Sequence, residues 1–80
     1  MSQKNDRAGQ LLQIIREVTE RKGLASFNDV FFKAYGRFDM EYFDLSISML
    51  HNIGVIDIIK EEGTYFIPLL EGEYYESQNW

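Results

Sequence analysis

The stretch from Asp39 to Pro68, DMEYFDLSISMLHNIGVIDIIKEEGTYFIP, constrains the fold more than any other part of the chain. Phe43, Ile47 and Leu50 recur at helical spacing with Tyr42, Leu45 and Met49 beside them. That pattern predicts a helix whose wide apolar face is buried against other helices. Asp39 stands where it can cap the helix start, because an aspartate oxygen accepts from the free N–H groups of a first turn. His51-Asn52-Ile53-Gly54 ends the helix, since glycine tolerates the positive φ found at helix C-termini. Val55 to Ile59 is β-branched apart from Asp57 and predicts a strand. Glu61-Glu62-Gly63-Thr64 then turns the chain, and Tyr65-Phe66-Ile67 returns as a second strand. Pro68 has no N–H to give to a ladder, so the strand stops there or runs along a sheet edge.

Two helices are expected upstream. Between about Arg7 and Lys22 the apolar residues Leu11, Leu12, Ile15 and Val18 recur at helical spacing, with Ile14 widening the stripe. Arg16, Glu17, Glu20 and Arg21 fall on the other side, and Lys22-Gly23 supplies a basic last turn and a stop. Residues 1–6 show no periodicity and read as a frayed start. Ser26 with Asp29 three residues later resembles a capping arrangement. It opens a short second helix on the stripe Phe27, Val30, Phe31, Ala34 and Tyr35, which Gly36 closes.

Eighty residues allow one domain with a small core. The composition, 45% hydrophobic with one proline, is too apolar for a disordered chain. With no cysteine, disulfides, thiolate zinc sites and cysteine nucleophiles are excluded. The polar start and the lack of a long apolar run predict a soluble, cytoplasmic protein with no membrane partner.

Charge is distributed unevenly. Met1 to Arg37 holds seven basic and four acidic residues, whereas Phe38 to Trp80 holds nine acidic residues and only Lys60 against them. The two halves therefore carry opposite signs.

Three helices followed by Met49-Leu50-His51-Asn52-Ile53-Gly54-Val55-Ile56, then a glycine turn and Thr64-Tyr65-Phe66-Ile67-Pro68-Leu69, resemble the recognition helix and wing of winged helix-turn-helix proteins. The resemblance covers about residues 8–70. It implies an α+β fold, a small winged helix-turn-helix of three helices and a two-stranded hairpin wing. It also implies that the third helix would enter a DNA major groove while the wing touches the flanking backbone, both of which need donors and positive charge. The third helix instead offers Asp39, Glu41 and Asp44 in its first turns, and its polar groups are Tyr42, Ser46, Ser48, His51 and Asn52. The wing tip carries Glu61 and Glu62. Carboxylates near phosphates repel and release no counterions, so the family's DNA-reading role does not transfer position by position.

Enzyme chemistry finds little support. His51 has no second histidine, the acidic pairs fall in turns or tail, and the six glycines are isolated, so neither a catalytic site, a metal site nor a cofactor is expected. Two functions remain. The first is a protein-interaction module whose acidic face, Asp39, Glu41, Asp44, Glu61 and Glu62 with Tyr42, Tyr74, Tyr75 and Trp80 as anchors, binds a protein partner with a basic surface. Such a partner includes a protein that itself binds nucleic acid, the carboxylates standing in for phosphates as in small phage or viral inhibitors. The alternative is a DNA-binding transcriptional regulator, acting as a homodimer through Arg16, Arg21, Lys22, Lys33 and Arg37 together with Ser46. Against it, spacings of four pair Arg16 with Glu20, Arg21 with Glu17 and Lys33 with Asp29 on their own helices. The tail LLEGEYYESQNW either packs its aromatics on the core or serves as an arm.

Overall fold

The computed structural model describes residues 3–69, with side chains from Arg7 onward. Tyr74, Tyr75 and Trp80 lie outside the described residues. The first helix, α1 (Gln3–Lys22), begins four residues before the periodic stripe. Polar residues give no stripe, yet they extend a helix already nucleated at the cost of one residue's freedom per hydrogen bond. The expected fray at residues 3–6 is therefore helix. Ala8, Leu11, Ile14, Ile15 and Val18 form the buried face of α1. Around that face are arranged α2 (Phe27–Ala34), α3 (Phe43–Asn52) and a small sheet of β1 (Ala25–Ser26), β2 (Ile56–Lys60) and β3 (Thr64–Pro68).

The local signals at α2 hold. Ser26 has extended backbone, and its Oγ accepts from the Asp29 N–H at 3.1 Å. This bond satisfies one of the donors that a helix N-terminus leaves free, a contribution of about 1 kcal/mol. The helix stops at Ala34, whose carbonyl accepts from both Arg37 and Phe38. Tyr35 has already left the helix with extended backbone and is exposed, so it is not part of the buried stripe.

Asp39 caps a different element from the one expected. Its carboxylate accepts from the Glu41 N–H at 3.2 Å at the start of a 3-10 turn, Met40–Tyr42, and α3 begins only at Phe43. Phe43, Ile47 and Leu50 are buried as the spacing required, and so is Ser46. Leu45 is 57% exposed, a departure from the wide apolar face. At about 100° per residue it points roughly opposite Phe43 and Ile47, and the hairpin does not wrap far enough to cover it. Gly54, at φ 85, then releases the chain from α3 into β2.

The chain is thus α+β, three helices followed by a two-stranded hairpin, an order and size consistent with a winged-helix arrangement. The hairpin pairs β2 with β3 from Ile56↔Pro68 to Lys60↔Thr64. One strand was not foreseen: β1 joins the other side of β3 through Ala25↔Phe66 and Ser26↔Tyr65, giving the antiparallel order β1-β3-β2. Two residues carry no alternation from which a strand could be read. Pro68 is accommodated in the central strand because β1 reaches only Tyr65 and Phe66, leaving the outer end of β3 as an edge. The turn closes with Glu61 N–H bonded to the Gly63 carbonyl at 3.0 Å and with Glu62 at φ 58.

Aromatic side chains lead from the interior to the surface. The Phe27 ring lies 6.0 Å from Phe66, 5.5 Å from Phe43 and 5.9 Å from Phe31, between centroids. Phe31 in turn touches Phe43, Phe32 and Tyr35. Offset and edge-on rings at these distances add to the stabilisation from buried area. Among the described residues no helix is long and apolar enough to cross a membrane.

Candidate functional site

The acidic residues sit in two places. Asp39, Glu41 and Asp44 cluster at the entry to α3, all exposed, where carboxylates also favour the positive end of a helix dipole. Glu61 and Glu62 sit at the hairpin tip, which the structure sets beside the start of α2: a shallow groove there is lined by Ser26, Phe27 and Asn28 on one side and by Glu62, Gly63 and Tyr65 on the other. Tyr42 is half-buried, and the Arg7 guanidinium lies 3.9 Å from its ring centroid. One face of that ring is occupied by a cation of the same chain, which limits it as an anchor.

The solvent face of α3 is built from Asp44, Leu45, Ser48, His51 and Asn52. None is lysine or arginine. Ser46 is 5% exposed and cannot reach a phosphate or a base, so its assignment as a nucleic-acid contact is withdrawn. The cause is helical phase, since Ser46 shares the inward arc with Phe43, Ile47 and Leu50.

Three of the five basic candidates converge where α1 meets α2, while Arg37 lines a separate groove with Gln10, Gln13 and Ile14. Arg21, Lys22 and Lys33 line one open groove with Val18, Asp29 and Phe32. Their ion pairs cross between elements instead of following one helix. Lys22 Nζ is 3.2 Å from Asp29 Oδ1, and Glu17 Oε1 is shared by Lys33 Nζ at 3.7 Å and Arg37 Nη1 at 3.4 Å. Spacing of four named the right carboxylates, Glu17 and Asp29, and the wrong partners, because it sees only neighbours along one helix. The Lys22 ammonium, bonded to Asp29, and then the Ser26 hydroxyl hold the Asp29 carboxyl below its ordinary value. All these groups are at least partly solvated, so the pairs orient the surface more than they stabilise it.

Two exposed aromatics were missed as surface features. Phe32 is 75% exposed and Tyr35 69%. Phe32 follows Phe31 directly and so points about 100° away from the buried stripe, a signal present in the sequence. Tyr35 gave no such signal, since its exposure follows from the helix ending one residue earlier. Among the described residues there is no group of three or more histidine, aspartate or glutamate side chains placed to hold a metal ion. Comparison of the chain with models of known protein families, with curated proteins and with solved structures found no match.

Proposed function

We propose that this chain is a winged-helix module that binds a protein with a basic surface through α3 and the acidic turn leading into it. One observation carries the reading: the solvent face of α3 lacks any cation and pairs the carboxylates of Asp39, Glu41 and Asp44 with an exposed leucine, Leu45. Charge steers a basic partner to such a surface and an apolar side chain supplies area to bury. DNA would meet repulsion at the same place. The partner is then a cationic protein, including one whose cationic surface otherwise binds nucleic acid.

Affinity purification with the wild-type chain and with Asp39→Lys, Glu41→Lys and Asp44→Lys combined tests this. Partners captured by the wild type are expected to be lost from the triple variant and weakened by Leu45→Ala. Retention of every partner by both variants overturns the proposal.

A second reading rests on the convergence of Arg21, Lys22 and Lys33 in one groove. It makes the chain a small DNA-binding regulator, acting as a dimer, that contacts phosphates through α1 and α2. A mobility-shift assay at low salt separates the two. Binding that weakens steeply with added salt and disappears on Arg21→Glu with Lys33→Glu would favour the regulator.

A further inference from the structure

In the order β1-β3-β2, strand β2 pairs with β3 alone, and among the described residues no strand lies on its other side. Two bonds fix which of its backbone groups face that open edge. The Leu69 N–H donates to the Val55 carbonyl at 2.9 Å and the Glu61 N–H to the Gly63 carbonyl at 3.0 Å. The pairs that these bonds flank, Ile56↔Pro68 and Lys60↔Thr64, therefore exchange no bonds with each other. By the alternation of antiparallel ladders, Ile56, Ile58 and Lys60 then turn their N–H and carbonyl groups outward. At the middle of this edge Asp57 Oδ1 accepts from the Ile58 N–H at 2.9 Å. Asp57 is also the only charged residue between Val55 and Ile59, a run whose other four members are β-branched and apolar. A run of that composition on an open edge is a template for pairing with another chain.

We propose that Asp57 seals the β2 edge, and that the pairing it withholds is with β2 of a second copy of this chain. The backbone of the sealed residue carries the argument. Antiparallel pairing of two β2 strands about a twofold axis overlaps all of Ile56–Lys60 only when the two Ile58 residues lie opposite each other. Each Ile58 N–H must then reach the Ile58 carbonyl of the other copy. That N–H is the one Asp57 holds within its own chain. The two bonds compete, so strand addition must first break the side-chain bond and then leave both Asp57 carboxylates beside the new seam without their donor. Aspartate is disfavoured in strands, and Asp57 is exposed and outside the core, so its contribution lies at the edge. Natural sheets place charged residues on such edges against unwanted pairing. Here the charge also occupies the central donor. The inference does not rest on the α3 surface proposed above.

Sedimentation and amide exchange on the full chain test it. Asp57→Val, at an exposed position and with no acceptor, is expected to shift sedimentation towards a dimer as concentration rises, over a range in which the wild type does not shift. It is also expected to slow exchange of the Lys60 N–H. Asp57→Asn keeps an acceptor oxygen and is expected to behave as the wild type. Adding Lys60→Pro to Asp57→Val removes an outward donor without touching the β2–β3 ladder, and is expected to restore the wild-type profile. Circular dichroism should keep the wild-type helix content throughout. In the wild type itself the Ile58 N–H is expected to exchange more slowly than the Lys60 N–H on the same edge, a reading that needs no substitution. An Asp57→Val profile that matches the wild type overturns the proposal, as does wild-type exchange at Ile58 as fast as at Lys60. Association of Asp57→Asn equal to that of Asp57→Val also overturns it, since charge and not the bond then keeps the copies apart. Association that survives Lys60→Pro places the contact away from this edge, with the same consequence.

Discussion

Single residues at the ends of elements decide where this chain turns, and two of them make measurable predictions. Glu62 holds a positive φ without being glycine, which an L-residue with a full side chain disfavours by roughly 1–2 kcal/mol. Glu62→Asn retains a side chain while tolerating that conformation, and is expected to raise the thermal midpoint in a melting experiment. Asp29 is the second. Its carboxyl is held below the ordinary value by Lys22 first and the Ser26 hydroxyl next. A carboxyl lowered in the folded state contributes stability that is complete above its unfolded value and disappears as pH falls through the folded value. The melting difference between the wild type and Asp29→Asn should therefore be constant near neutrality and shrink below about pH 4. Ser26 and Gly54 were legible in the sequence because capping is local chemistry. Glu62 was not, since an ordinary glutamate announces no positive φ.

At the scale of elements, helical phase separates structure from surface. Phe66 is 2% exposed and touches Phe27, whereas Leu45 on α3 is mostly in water. Phe66→Ala should cost about 3–5 kcal/mol, enough to leave much of so small a domain unfolded, and Leu45→Ala should change stability by less than about 0.5 kcal/mol. Urea titration of the two variants measures both effects. If Leu45→Ala proves as damaging as Phe66→Ala, the solvent face assigned to α3 is wrong. Spacing revealed the three helices and the hairpin because each repeats its pattern over several residues. It missed β1, where two residues cannot repeat anything, and it placed Leu45 inside because apolar character alone does not tell which side of a helix is covered. It missed Ser46 for the converse reason: a small polar residue on the inward arc resembles one on the outward arc until phase is counted.

Across the whole molecule, the opposite signs of the two halves were legible by counting, but their arrangement was not. Pairs such as Glu17 with Arg37 and Lys22 with Asp29 depend on how α1 crosses α2, which no spacing within one helix contains. The same tertiary arrangement gathered Arg21 and Lys22 of α1 and Lys33 of α2 into one groove.

The two-residue strand β1 has a consequence for the order in which the molecule assembles. The β2–β3 pairing closes a tight turn, whereas Ala25↔Phe66 joins positions about 40 residues apart, and closing so long a loop carries an entropic cost that local contacts avoid. That ladder should form late, after the folding barrier has been crossed. Ala25, fully buried at 0% exposure, is a suitable probe. In stopped-flow kinetics Ala25→Gly is expected to speed unfolding and leave the folding rate nearly unchanged. A slowed folding arm would place β1 in the nucleus and make this short strand the step that commits the chain to its fold.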